Sequence, residues 1–88
     1  MPNVIISVRE VKGYCSHGHK VGDTAKLEGD NLVGSVCPLG FNALFPYAFG
    51  MQYDAKYAWA KNGACAVRCP DPENRVIFEL RREQQGTR

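Results

Sequence analysis

Hydrophobic and polar positions alternate near both ends of the chain and lose that alternation in the middle. In "VIISVREV", residues 4–11, Val4, Ile6 and Val8 fall on one face and Ser7 and Arg9 on the other, the period-two signature of a half-buried strand. The pattern breaks at Glu10 and Val11 and stops at Gly13. A second strand is predicted where Ala25 and Leu27 alternate with Lys26 and Glu28, closed by the turn signal "EGDN". Further on, "ACAVRC" sets Cys65, Val67 and Cys69 on one face, "PDPEN" turns the chain, and "RVIFELRR" points Val76, Phe78 and Leu80 inward. These two segments read as an antiparallel pair.

Between them, "CPLGFNALFPYAFG" is apolar and aromatic without alternation. Pro38 suits the first position of a helix, and Leu44 and Phe45 follow Phe41 at helical spacing, so a helix is expected, bent or ended near Pro46. Periodicity does not decide "MQYDAKYAWAKNGA", which reads as a loop or a short amphipathic turn. The sum is an α+β fold: a small antiparallel sheet of about four strands with one main helix over about residues 38–50. Residues 1–82 form a single domain, and the polar end, 83–88, with nothing apolar to bury, reads as a flexible tail.

Composition narrows the function. At 88 residues the core is thin, because a chain of this size buries only about 60% of the surface it exposes when unfolded. The net charge of +2 is spread along the chain except for Arg81, Arg82 and Arg88, which argues against nucleic acid as a partner. No apolar run approaches membrane-spanning length and no signal-peptide pattern opens the chain, so a cytoplasmic protein without a membrane partner is expected. In that compartment four cysteines point to thiols, metal ligands or a redox pair rather than structural disulfides. A thin core would also gain from homo-oligomerisation, which makes an oligomeric binding module without catalysis a third reading beside metal binding and thiol catalysis.

Chemistry-bearing residues concentrate at turns and element ends. Cys37, just before Pro38, is the expected helix N-cap, where unpaired N–H groups and the helix dipole favour a thiolate, either as metal ligand or as nucleophile. Cys69 closes a strand and is held extended by Pro70. Cys65 lies on the same strand face, roughly 13 Å away, too far to share an ion, and reads as a core thiol. In "YCSHGHKVGD", Cys15, His17 and His19 stand two apart; thiolate and imidazole are zinc donors, and thiolates hold iron–sulfur clusters. His17 reads as a turn residue. Cys15, His19, Cys37 and Cys69 form a Cys₃His set for zinc or an iron–sulfur cluster, with His19 as fourth ligand or as a supporting group. The enzyme alternative uses Cys37 as the activated thiolate, with His19 or Asp71 as acid/base partner, beside a small-molecule pocket lined by Tyr47, Tyr57 and Trp59. Asp23, Asp71 and Glu73 otherwise read as turn residues.

The segments "GYCSHGHKVGD", "GSVCPLGFNALFPY" and "CPDPENRVIFEL" together resemble a family of small single-domain prokaryotic proteins, grouped as conserved hypothetical proteins. Its pattern is C-x-x-G-H-K-x-G-D, then C-P opening an apolar helix, then C-P-D near the end. It falls here on Cys15, Gly18, His19, Lys20, Gly22 and Asp23, on Cys37 and Pro38, and on Cys69, Pro70 and Asp71. The resemblance spans nearly the whole chain, includes His19 but not His17 and Cys69 but not Cys65, and implies a site without naming a reaction. Asn42 departs from it, standing where members often carry a histidine in the apolar helix.

Overall fold

The computed structural model describes residues 2–13, 17–71 and 73–83. Among the described residues five strands, β1 (Val4–Lys12), β2 (Thr24–Glu28), β3 (Asn31–Val33), β4 (Ala64–Arg68) and β5 (Arg75–Arg82), and one helix, α1 (Pro38–Gln52), make an α+β fold. The strands form one antiparallel sheet in the order β3-β2-β1-β5-β4. Helix α1 connects the two edge strands across one face.

Alternation in the sequence becomes a single buried layer. Val4, Ile6 and Val8 of β1, Ala25 and Leu27 of β2, Cys65 and Val67 of β4, and Val76, Phe78 and Leu80 of β5 are buried together against Leu44, Ala48 and Met51 of α1. The break at Glu10 and Val11 is a β-bulge: Val8 pairs with Phe78 but Glu10 pairs with Ile77, so Arg9 is the extra residue. One inserted residue reverses the parity, which is why Val11, opposite Val76, packs toward the core despite its odd number. The sheet exceeds the expected strand count by β3, which follows β2 through the two residues Gly29 and Asp30. Its three residues are all exposed, so no apolar alternation marked it as a strand.

Helix α1 starts where Pro38 suggests and runs through Pro46 to Gln52. Pro46 is tolerated because it sits on the exposed side, where the carbonyl deprived of its N–H, that of Asn42, lies one turn back on the same solvent-facing side. At the other end the Arg82 guanidinium donates to the Met51 and Ala55 carbonyls, at 2.8 and 2.7 Å. A cation there satisfies terminal acceptors and complements the negative end of the helix dipole. The buried Gln52 amide donates to the Gly29 carbonyl and ties the helix to the β2–β3 turn. Of the expected tail, residues 84–88 lie outside the described residues. Glu83 is held, its N–H donating to the Asn3 carbonyl and its carboxylate accepting from Lys26 at 2.7 Å.

The helix approaches the sheet through Gly40. A Cβ at that position would stand 2.7 Å from Cε2 of the buried Phe78 ring, which has no room to retreat. Gly40→Ala should therefore lower stability by about 1–3 kcal/mol even though alanine favours helix by about 1 kcal/mol. Urea unfolding measures this, and a Gly40→Ala variant as stable as the parent would show that Phe78 yields.

Candidate functional site

The described part of "YCSHGHKVGD" folds onto the start of α1. Backbone pairing of Val8 with Gly22 and Asp23 fixes the end of the segment against β1. A tight turn spans residues 20–23, in which the Lys20 N–H donates to Asp23 Oδ2 at 3.0 Å and the Asp23 N–H to the Lys20 carbonyl. That turn carries His19 inward, 7% exposed, with its ring edge-on to Phe78 at a centroid distance of 5.6 Å.

His19 Nε2 accepts a hydrogen bond from the Cys37 N–H at 3.0 Å. The acceptor nitrogen must be unprotonated, so the neutral ring carries its proton on Nδ1, which faces Asp23 Oδ2 at 3.8 Å. Burial lowers the His19 pKa below 6.5, and neighbouring His17 lowers it further, while the Asp23 carboxylate opposes both. His17 itself is exposed, its Nε2 2.8 Å from the Ser35 hydroxyl. The two imidazoles, with Gly18, Asp23, Thr24 and Ser35, line a shallow depression of about 290 Å³.

Cys37 is the N-cap residue of α1, with Pro38 following it, and its carbonyl accepts the Phe41 N–H at 2.7 Å. Its side chain makes no capping hydrogen bond, so the half-buried thiol is not consumed by the helix end. Cys69 is buried just beyond β4, its N–H donating to the Val76 carbonyl at 2.8 Å. Cys65 is fully buried, and removal from water raises its thiol pKa, as a core thiol requires. Cys15 lies outside the described residues, so the full four-residue set is not on view. Among the described residues no group of three or more His, Cys, Asp or Glu side chains is gathered to hold a metal.

Asp71 is a turn residue in geometry. Its Oδ1 accepts the Glu73 and Asn74 N–H groups at 2.9 and 3.2 Å, and its Oδ2 the Asn74 amide at 3.1 Å. Those bonds hold its pKa below the ordinary carboxylate value, the Glu73 N–H being the largest cause. Tyr47, Tyr57 and Trp59 cluster with ring centroids 5.1 to 5.6 Å apart, and the Tyr57 hydroxyl donates to the Tyr47 carbonyl. Beside them Tyr47 and Trp59 wall a depression of about 370 Å³ that also meets Ala43, Ala66, Val67 and Arg68. Pairing of His19 with a backbone donor eighteen residues away carried no signal in the sequence, because a buried acceptor nitrogen looks the same there as a metal ligand.

Compared with known proteins, the chain matches no family model, no curated protein and no solved structure. No helix among the described residues is long and apolar enough to cross a membrane.

Because the folded protein holds His19 neutral, its stability depends on pH with a defined sign. Below 6.5 the unfolded chain takes up the proton first, so stability falls as pH drops from 6.5 through the lowered folded-state pKa and then levels. His19→Gln, which keeps an acceptor but does not titrate, should flatten this slope in urea unfolding followed between about pH 5 and 7.5. His19→Ala should cost about 1–3 kcal/mol at neutral pH by orphaning the Cys37 N–H. An unchanged slope in the Gln variant would show that His19 is not the titrating group.

Proposed function

We propose that the protein binds a metal, zinc or an iron–sulfur centre, through the thiolates of Cys15, Cys37 and Cys69, with His19 positioning Cys37 rather than ligating. The observation that carries this reading is the anchoring of both flanks of Cys15. On one side, two residues before it, Gly13 lies so close to Asn74 that a side chain at 13 would run into the Asn74 carboxamide, which places this flank on the loop that follows Cys69. On the other side, four residues after it, His19 is hydrogen-bonded to the backbone of Cys37. The described flanks, Gly13 and His19, thus lie beside the loop after Cys69 and the backbone of Cys37, which supports a shared site for the three thiols.

Donor chemistry fits as well. Cys37 is not spent on capping, Cys69 is held by Pro70 and by its backbone pairing, and soft thiolates select zinc or iron–sulfur centres. A bound metal would cross-link three separated segments and so stabilise a small core. His19, whose acceptor nitrogen is committed to the Cys37 N–H, orients the ligand-bearing backbone and keeps its orphan donor satisfied. The thiol-enzyme alternative asks His19 or Asp71 to move protons, yet the His19 lone pair and both Asp71 oxygens are engaged in structural hydrogen bonds.

Protein purified anaerobically under reducing conditions should contain close to one metal centre per chain by elemental analysis. Cys15→Ser, Cys37→Ser and Cys69→Ser should each abolish loading, and Cys65→Ser should leave it intact. Less than about a tenth of an equivalent of any transition metal in the parent, unaltered by Cys37→Ser, would sink the proposal.

A further inference from the structure

The outer face of α1 is built the wrong way round for a helix that faces water. A surface helix presents charged and polar residues to solvent and an apolar stripe to the core. Helix α1, "PLGFNALFPYAFGMQ", contains no charged residue at all. Of its six exposed residues, Pro38, Leu39, Asn42, Phe45, Pro46 and Phe49, only Asn42 is polar. Phe41, Phe45, Phe49 and Tyr53 follow one another at four-residue steps with ring centroids 5.3, 5.6 and 5.0 Å apart, so they form a continuous aromatic ridge. Phe45, Phe49 and Tyr53 remain 38%, 47% and 61% exposed. Beside the ridge runs a groove of about 330 Å³, lined by Gly29, Asp30, Phe45, Phe49, Gln52 and Tyr53.

We propose that this face is a homodimer interface, in which two copies of the chain pack their aromatic ridges against each other about a twofold axis, each entering the other's groove. Charge selects this occupant. A helix that lies on a bilayer carries Lys or Arg along its polar face; α1 has none, the groove contains Asp30, and the Asp54 side chain just past the ridge is 90% exposed. The ridge itself carries no charge through which a differently charged partner would be recognised. A second copy needs none, since an uncharged ridge is complementary to itself in an isologous contact, and rows of side chains four apart interdigitate with the same rows on another helix. Area sets the strength. Aromatic side chains of about 150–250 Å² standing half outside the protein leave on the order of 400 Å² of apolar ridge per copy. The pair then buries on the order of 800 Å², in the range of weak, reversible association rather than obligate dimers.

Sedimentation velocity of the full chain, in reductant and from about 1 μM to 1 mM, tests this. The parent should pass from monomer to dimer across that range, and Phe49→Asp should stay monomeric at every concentration with unchanged far-ultraviolet circular dichroism and thermal melting. Phe45→Lys is a second variant should the first fail to fold, and both positions are exposed enough to accept a charge. A parent that stays monomeric at about 1 mM, or a dimer that survives both substitutions, would overturn the proposal. So would co-sedimentation of monomeric parent with phosphatidylcholine–phosphatidylglycerol vesicles, which would give the ridge to a lipid surface. Metal content is measured on the same samples, and its expected indifference to Phe49→Asp keeps this result separate from the thiolate centre.

Discussion

A helix can lie close to a sheet only where it carries no side chain to hold it away, and in this protein that place is Gly40 against the ring of Phe78. Phe78 is almost wholly buried, flanked in register by Val8 on β1 and Val67 on β4, and it fills the space under the first turn of α1. The same ring stands perpendicular to the His19 imidazole. One aromatic side chain therefore sets the height of the helix, the position of its N-terminus and the seat of the buried imidazole. Cys37 lies three residues before Gly40, between that contact and the buried Val36 of its own loop.

The His19–Cys37 hydrogen bond follows from this placement and solves a local problem. The first N–H groups of a helix lack intrahelical partners, and the N-cap side chain here, a thiol, makes no capping bond. A neutral imidazole from a distant turn takes over for the Cys37 N–H. A protonated one could not, since it would present two donors to a site already rich in them. Burial and the neighbouring His17 keep the ring neutral, so its electrostatics and its structural role agree.

The same helix leaves its opposite face unprovided for. Its inner side is filled by Gly40, Leu44, Ala48 and Met51, and its one fully polar buried group, Gln52, is satisfied by the β2–β3 turn. The aromatics that a small core would be expected to claim instead stand in a row toward solvent. An uncharged outer face does not improve the monomer, and it raises the apolar exposure of a small domain. The proposed self-association surface would give it a purpose independent of the cysteines.

Strand alternation made the sheet legible in the chain, because burial of one face imposes a period of two wherever a strand is long enough to show it. Val4 to Val8, Ala25 and Leu27, Cys65 and Val67, and Val76 to Leu80 all kept the faces that their spacing implied. Even the break at Glu10 and Val11 recorded a real bulge. Pro38 likewise announced the helix start, and burial of Cys65 followed from its place in a strand. Strand β3, the passage of α1 through Pro46 and the outward turn of Phe45 escaped, since each depends on which side faces solvent, and helical spacing alone does not say which side that is. Local chemistry singled out His19 and Cys37 as separate candidates. Only the packing of α1 on Phe78 joined them, because a hydrogen bond across eighteen residues is decided by where two elements come to rest and leaves no period in the chain that makes it.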